Sequence, residues 1–288
     1  MFLRVVIWII IFGIQHCKGL EEVPFVAHNK LLKIYGFCPS SLYRLKELYA
    51  MNRLFIPTLG PTDWRRLLAN PSTQWKRYKS ALEMAVCWES ARDLPRGLPP
   101  EVAKAIDTEP QLSGAHLLIG LPEHKVSFVG GRHPSQNDLW ALLRVKDKLV
   151  SMAVEAKAGE KLDDIVKDWL AKGVEKSRKP ERLTALKQQL SINNADVSQI
   201  RYQLLHRAAS ALKEAERFGA PMAVMLIQSF NRAADEESWK DFMRFGEIME
   251  VPVKEGSLVK SRRQTAVPLF IGWVTSQPAD LGRLSSAV

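Results

Sequence analysis

Hydrophobic and polar positions change period several times along the chain, and each change marks an element. From Pro61 the spacing is helical, with Thr62 where a cap would stand and Asp63 in the first turn of a run to Leu68. A second helical run starts after Ser72 or Thr73 and reaches Ser90, with Tyr78, Leu82, Ala85 and Val86 as its apolar positions. Arg92 to Pro110 is rich in Pro, Asp and Glu and reads as a connector, with a short helix near Pro100. The period then shortens. His116 to Gly131 predicts one hairpin, turning at Pro122-Glu123-His124, and Asp138 to Lys157 predicts another, turning at Lys146-Asp147-Lys148.

Helical spacing returns at Lys161 to Ala171. Leu162, Ile165, Val166, Trp169 and Leu170 share one face, and Asp163, Asp164, Lys167 and Asp168 fall on a solvated one. Lys176 to Lys187 is basic and reads either as an exposed loop and helix or as a segment that tracks phosphates. Ile200 to Phe218 is the strongest helix, stopped by Gly219. Met222 to Ile227 is apolar throughout, as suits an interior strand buried on both faces. A helix carrying Trp239, Phe242, Phe245 and Ile248 follows, then a basic loop around Lys254 to Arg263, a last strand over Pro268 to Val274 and a flexible tail, residues 276–288. Strands alternating with helices predict an α/β domain, a central mixed β-sheet flanked by helices.

With 288 residues and 46% hydrophobic composition the chain can bury one substantial core. Its formal charge of +10 suits polyanionic partners, nucleic acid or an anionic membrane surface. Cys17, Cys38 and Cys87 form no metal-ligand spacing and no disulfide framework, and Cys87 reads as a small buried hydrophobe. A phosphate-cradling loop, a dinucleotide fingerprint and a nucleophile elbow are all missing, so kinase, dehydrogenase and hydrolase-triad chemistry have no support.

The second hairpin carries the candidate chemistry. With a two-residue turn at Lys146 and Asp147, Val145 faces Lys148 and Asp138 faces Glu155. Directly opposed Cβ atoms lie roughly 4.5–5.5 Å apart, close enough for two carboxylates to share a cation. Lys157 points to the same face, two residues further on. A longer turn would flip the pairing and spoil the arrangement. Two hard carboxylates suit magnesium or manganese, and a lysine beside them would orient or deprotonate an attacking water or offset developing charge on a phosphate. The alternative is a charged trio on a solvated sheet face. A second Glu-x-Lys, Glu123-His124-Lys125, falls in the predicted turn and is set aside. Gly130 and Gly131 make a bend or let the backbone approach a phosphate, and Arg132 and His133 follow them within reach of one.

Asp138, then Glu155-Ala156-Lys157, then a helix and further strands resembles the PD-(D/E)XK, or restriction-endonuclease-like, superfamily. The stretches IPTLGPTDWRRLLANPSTQW, GGRHPSQNDLWALLR, AVEAKAGE and RYQLLHRAASALKEAERFGAPMAVMLIQSF resemble a bacterial domain family of unknown function placed in it. The resemblance implies a nuclease-like domain over residues 56–275 that hydrolyses phosphodiester bonds in nucleic acid, DNA foremost, with Mg or Mn and no small-molecule cofactor. It implies Asp138 and Glu155 as metal ligands, Lys157 as the catalytic lysine, and a carboxylate from the first core helix, for which Glu89 is the match. Gln203, His206 and Arg207 resemble the polar residues of a following helix that position the substrate or site. Two departures stand: Asn137 replaces the proline before Asp138, and Arg207 stands where an aromatic residue is common. The competing reading is an inactive module that keeps the fold and binds nucleic acid or a protein.

Residues 1–55 form an N-terminal extension with an apolar run, Val5 to Ile14, too short to span a bilayer. It fits a secretory signal over residues 1–19, which would export the protein. Met51, just before the resemblance begins, offers a second start, and initiation there gives the cytoplasmic protein that we expect.

Overall fold

Met222 to Ser229 is buried at every position because it lies in the middle of a sheet covered on both sides. The computed structural model describes residues 56–130, 133–174 and 177–278. Among them six strands form one sheet: β1 (His116–Val126), β2 (Ser135–Val145), β3 (Lys148–Lys157), β4 (Met222–Ser229), β5 (Ser257–Lys260) and β6 (Leu269–Thr275), in the order β1-β2-β3-β4-β6-β5. β3, β4 and β6 run parallel, and the other pairings are antiparallel. The sheet is therefore mixed and helix-flanked, as the periodicity predicts.

Alternation along the strands divides the side chains between two cores. Val150, Met152 and Val154 of β3 and Val224 and Leu226 of β4 pack against α1 (Thr62–Arg65), α3 (Ser80–Ser90) and α4 (Pro100–Asp107). Ala223, Met225 and Ile227 pack on the other side against α6 (Lys179–Gln189), α7 (Tyr202–Phe218) and α8 (Glu236–Ile248). α7 lays Leu204, Ala208, Ala211 and Ala215 on the sheet at helical spacing and ends at Gly219, whose φ of 64° is the left-handed conformation that a helix stop requires. Cys87 is a packing group in α3, and burial pushes its thiol up to about 12.

Several boundaries differ from expectation. His116 to Gly131 is not a hairpin: β1 continues through Pro122 and His124, paired with Leu139 and Asn137 of β2, with Glu123 between them at φ 53°. As an edge strand β1 tolerates a proline, because a missing N–H on its outer side breaks no ladder bond. The long helix before Ser90 is broken after α2 (Pro71–Gln74), where Tyr78 adopts φ 61° and Glu83 accepts its N–H at 2.8 Å. Thr62 makes no cap, and Asp63 accepts the N–H of Leu59 instead. The helix after β3 is only α5 (Val166–Ala171), because Asp164 and Val166 bond to the backbone of Tyr202 and Ile200. β5 forms inside the predicted basic loop, and Ser276 is buried, accepting from Gln228 at 2.8 Å. No described helix is long and apolar enough to cross a membrane. The extension over residues 1–55 lies outside the described residues.

Candidate active site

The β2–β3 turn is the two residues Lys146 and Asp147, with Lys146 at φ 53°. Val145 stands opposite Lys148 and Leu139 opposite Val154, so the next pair along the register is Asp138 and Glu155. Leu139, Ala141, Ala156 and Val154 face the α3 and α4 layer, which leaves Asp138, Glu155 and Lys157 together on the α7 side. The expected convergence is present, and the face is not solvated. Glu155 and Lys157 are buried, and α7 closes over them.

Gln203 and Arg207, four apart on α7, share the face that looks down on the sheet. Gln203 Nε2 donates to Glu155 Oε1 at 2.5 Å, while Gln203 Oε1 accepts from Lys157 Nζ at 3.2 Å. Lys157 Nζ lies 2.9 Å from Glu155 Oε1, and Arg207 Nε donates to Glu155 Oε2. Burial opposes ionisation of Glu155, but Arg207 and Lys157 outweigh it and hold the carboxyl below its usual range. Burial also opposes the charge on Lys157; Glu155 and Asp138 reverse that and keep the ammonium protonated. In the metal-free centre Lys157 is thus a charged, electrostatic group.

Asp138 accepts the N–H of Ala156 at 2.7 Å. The residue is only half-buried, but desolvation of its carboxyl, followed by repulsion from Glu155, raises its pKa well above the ordinary value. A third acid contributes to that repulsion. Pairing of Pro122 with Leu139 and of His124 with Asn137 sets Glu123 beside Asp138, so three carboxylates stand abreast across β1, β2 and β3. Glu123 Oε2 accepts from Gln136 at 2.6 Å, and burial, with Glu155 adding repulsion, pushes its carboxyl up to about 7. Sequence reasoning discarded Glu123 because it lay in a supposed turn. Period gave no signal for it, because the apolar positions shift from Leu117, Ile119 and Leu121 to Val126 and Phe128 across Glu123, whose φ is 53°. Asp163 stays exposed, as expected of a solvated position, but its N–H donates to Gln203 Oε1 at 3.3 Å, and desolvation of its carboxyl and the charge of Glu155 raise its pKa.

Other expected members are elsewhere or differently employed. Glu89 sits in the layer across the sheet, where it accepts from Thr58 at 2.7 Å, from Trp64 at 2.8 Å and from Arg92. It is not brought to Asp138 and Glu155, because the end of α3 points its carboxylate at α1. His206 is buried and held neutral by burial and by the cations Arg207 and Arg182; its Nδ1 lies 2.6 Å from Ser135 Oγ. It braces Arg207, which donates to the same hydroxyl at 3.1 Å. Arg182 of the basic run turns inward and donates to His133 O at 2.5 Å. Arg132 lies outside the described residues.

Among the described residues no three His, Cys, Asp or Glu side chains are placed to hold a metal ion. The donor chemistry nevertheless suits a hard divalent cation. Three crowded carboxylates, two with raised pKa values, repel each other in a way that such an ion would relieve.

Fold and site together define an α/β protein with a buried centre of carboxylates, one lysine and one arginine at one end of a mixed sheet. Over residues 57–278 the chain matches the family model described as Domain of unknown function (DUF6946), and it belongs to that family. No curated protein and no solved structure matches it.

Proposed function

We propose that the protein is a metal-dependent nuclease of PD-(D/E)XK type that hydrolyses phosphodiester bonds, with DNA as its substrate and the cytoplasm as its setting. The observation that carries this reading is the β2–β3 register, which sets Asp138, Glu155 and Lys157 on one face of the sheet. Asp138 and Glu155 would hold magnesium or manganese, which when bound supplies a Lewis acid and an activated water. Lys157, kept protonated by its acidic neighbours, offsets charge that develops on a phosphate. Gln203 fixes the distance between Lys157 and Glu155 by bonding to both. Arg207 offsets the charge of Glu155 until a cation arrives.

A second reading has its own support. Both oxygens of Glu155 are engaged by Lys157, Gln203 and Arg207, as in a buried pair kept for structure. The alternative is then an inactive module on the same fold that binds nucleic acid or a protein partner. Purified wild type, Asp138→Asn and Lys157→Ala, assayed on plasmid, linear and single-stranded DNA with magnesium or manganese, separates the two. The nuclease reading expects wild-type cleavage and a loss of at least about a hundredfold in each variant. Equal cleavage by all three would mark a contaminant, and no magnesium binding by calorimetry would leave the module.

A further inference from the structure

A cavity of 410 Å³ opens where β3, β4 and β6 end, lined among others by Ala158, Phe230 and Gln277. These three strands are parallel, and ligands of open α/β sheets gather outside the carboxyl ends of such strands. The volume falls within the roughly 300–1,000 Å³ of small-molecule sites. Ala158 directly follows Lys157, and alternation sends the lysine to the carboxylate side and the alanine to the cavity. Phe230 N–H donates to the carbonyl of Lys157 at 2.7 Å. Cavity and carboxylates are therefore opposite sides of one strand tip.

At the cavity stands Tyr78, which belongs to an exposed segment, Lys76-Arg77-Tyr78-Lys79, between α2 and α3. Tyr78 lines the cavity although 63% of it is exposed. Its backbone is pinned in the left-handed region, with its N–H on the buried Glu83 carboxylate. The Arg77 guanidinium lies 5.0 Å from the ring centroid. An aromatic ring held out to solvent and interleaved with cations is the arrangement that stacks a base and follows its phosphates. Inside, buried Phe230 gives an apolar wall, and the side-chain amide of Asn231 offers both donors and an acceptor. Arg232 also lines the cavity, but Glu236 at 2.7 Å and Glu255 at 3.0 Å engage it. With Arg232 so engaged, the interior suits a neutral planar ring better than a phosphate.

We propose that this cavity takes one unstacked base of a single-stranded or locally unpaired nucleic acid, with Tyr78 stacked on the base and Lys76 and Arg77 on the adjoining phosphates. The proposal rests on the nuclease reading of the opposite face and adds the substrate class: a strand whose bases are free near the point of cleavage.

The test is binding of a short single-stranded DNA carrying a 2-aminopurine, and of its duplex, by full-length protein in EDTA, where no cleavage occurs. The expected result is quenching by the single strand with affinity at least about tenfold above the duplex. Tyr78→Gly, which keeps the left-handed backbone, weakens that binding about tenfold, and Tyr78→Phe restores it. Lys76→Ala with Arg77→Ala lowers the salt dependence of log affinity by about 1.4. Equal affinity for single strand and duplex, unchanged binding by Tyr78→Gly, or no binding at all would overturn the proposal. The two readings fail separately. Loss of single-strand binding in Tyr78→Gly with no effect of Asp138→Asn on cleavage keeps the base site and removes the nuclease; the reverse pattern removes only the base site.

Discussion

Glu123 shows how a single side chain changes the character of the centre. Asp138 and Glu155 alone are a pair of acids of which Arg207 and Lys157 neutralise one. The third carboxylate beside them leaves more negative charge than the two cations offset, and the excess appears as raised pKa values on Asp138 and Glu123. Glu123→Gln relieves that repulsion. In the absence of metal the variant should melt a few degrees above wild type at pH 8 and close to it at pH 5, by differential scanning fluorimetry. Calorimetry should show magnesium affinity reduced about tenfold or more, since one charge of the attracting row is gone. Unaltered affinity would exclude Glu123 from the cation site.

At the scale of elements the approach of the loop after β1 to α6 is set by Gly130. Its φ is 78°, and an added Cβ would stand 2.6 Å from the backbone nitrogen of Arg182 and 2.9 Å from the carbonyl of Arg178. Those two atoms make a hydrogen bond of the first turn of α6, so no side-chain rotation can relieve the clash. Gly130 lets backbone approach backbone here, and the phosphate-approach reading of the glycine pair is not needed to explain it. Gly130→Ala should cost about 2–3 kcal/mol in urea denaturation and loosen the contact of Arg182 with His133 O. A midpoint within error of wild type would mean the loop docks elsewhere. Element by element, the interior strand and the buried stripe of α7 were readable because both are long and strongly periodic. The break before α3 was not, since Tyr78 leaves helical geometry only because Glu83 waits to accept its N–H.

For the whole molecule the crowded acids predict an unusual pH profile. Asp138, Glu123 and Asp163 have folded pKa values above their unfolded ones, so the stability they contribute is present below the unfolded values and lost as pH rises through the folded ones, which for Glu123 is about 7. Glu155 acts in the opposite sense, its contribution present above its unfolded value and lost as pH falls through the depressed folded one. Stability in EDTA should therefore peak in mildly acid solution and fall between the unfolded and folded values of Glu123, from 4.5 to about 7. On the nuclease reading magnesium should restore what is lost, releasing protons as it binds. A melting temperature flat over that interval, with or without magnesium, would show that the acids are not coupled.

The sequence by itself determined the order of most strands and helices, the α/β class, and the side of the sheet on which Asp138, Glu155 and Lys157 meet. Those follow from local periodicity and from the length of one turn, which a short window of residues contains. Only the tertiary structure decided which acids belong to that centre. Glu89 leaves because α3 points its carboxylate at α1; Glu123 enters because β1 continues past a proline that an edge strand tolerates; and Gln203, His206 and Arg207, polar residues on a helix, are buried because the charges they meet lie on strands far away in the chain. Burial and pairing of charges depend on what lies across the sheet, and period along the chain does not encode that.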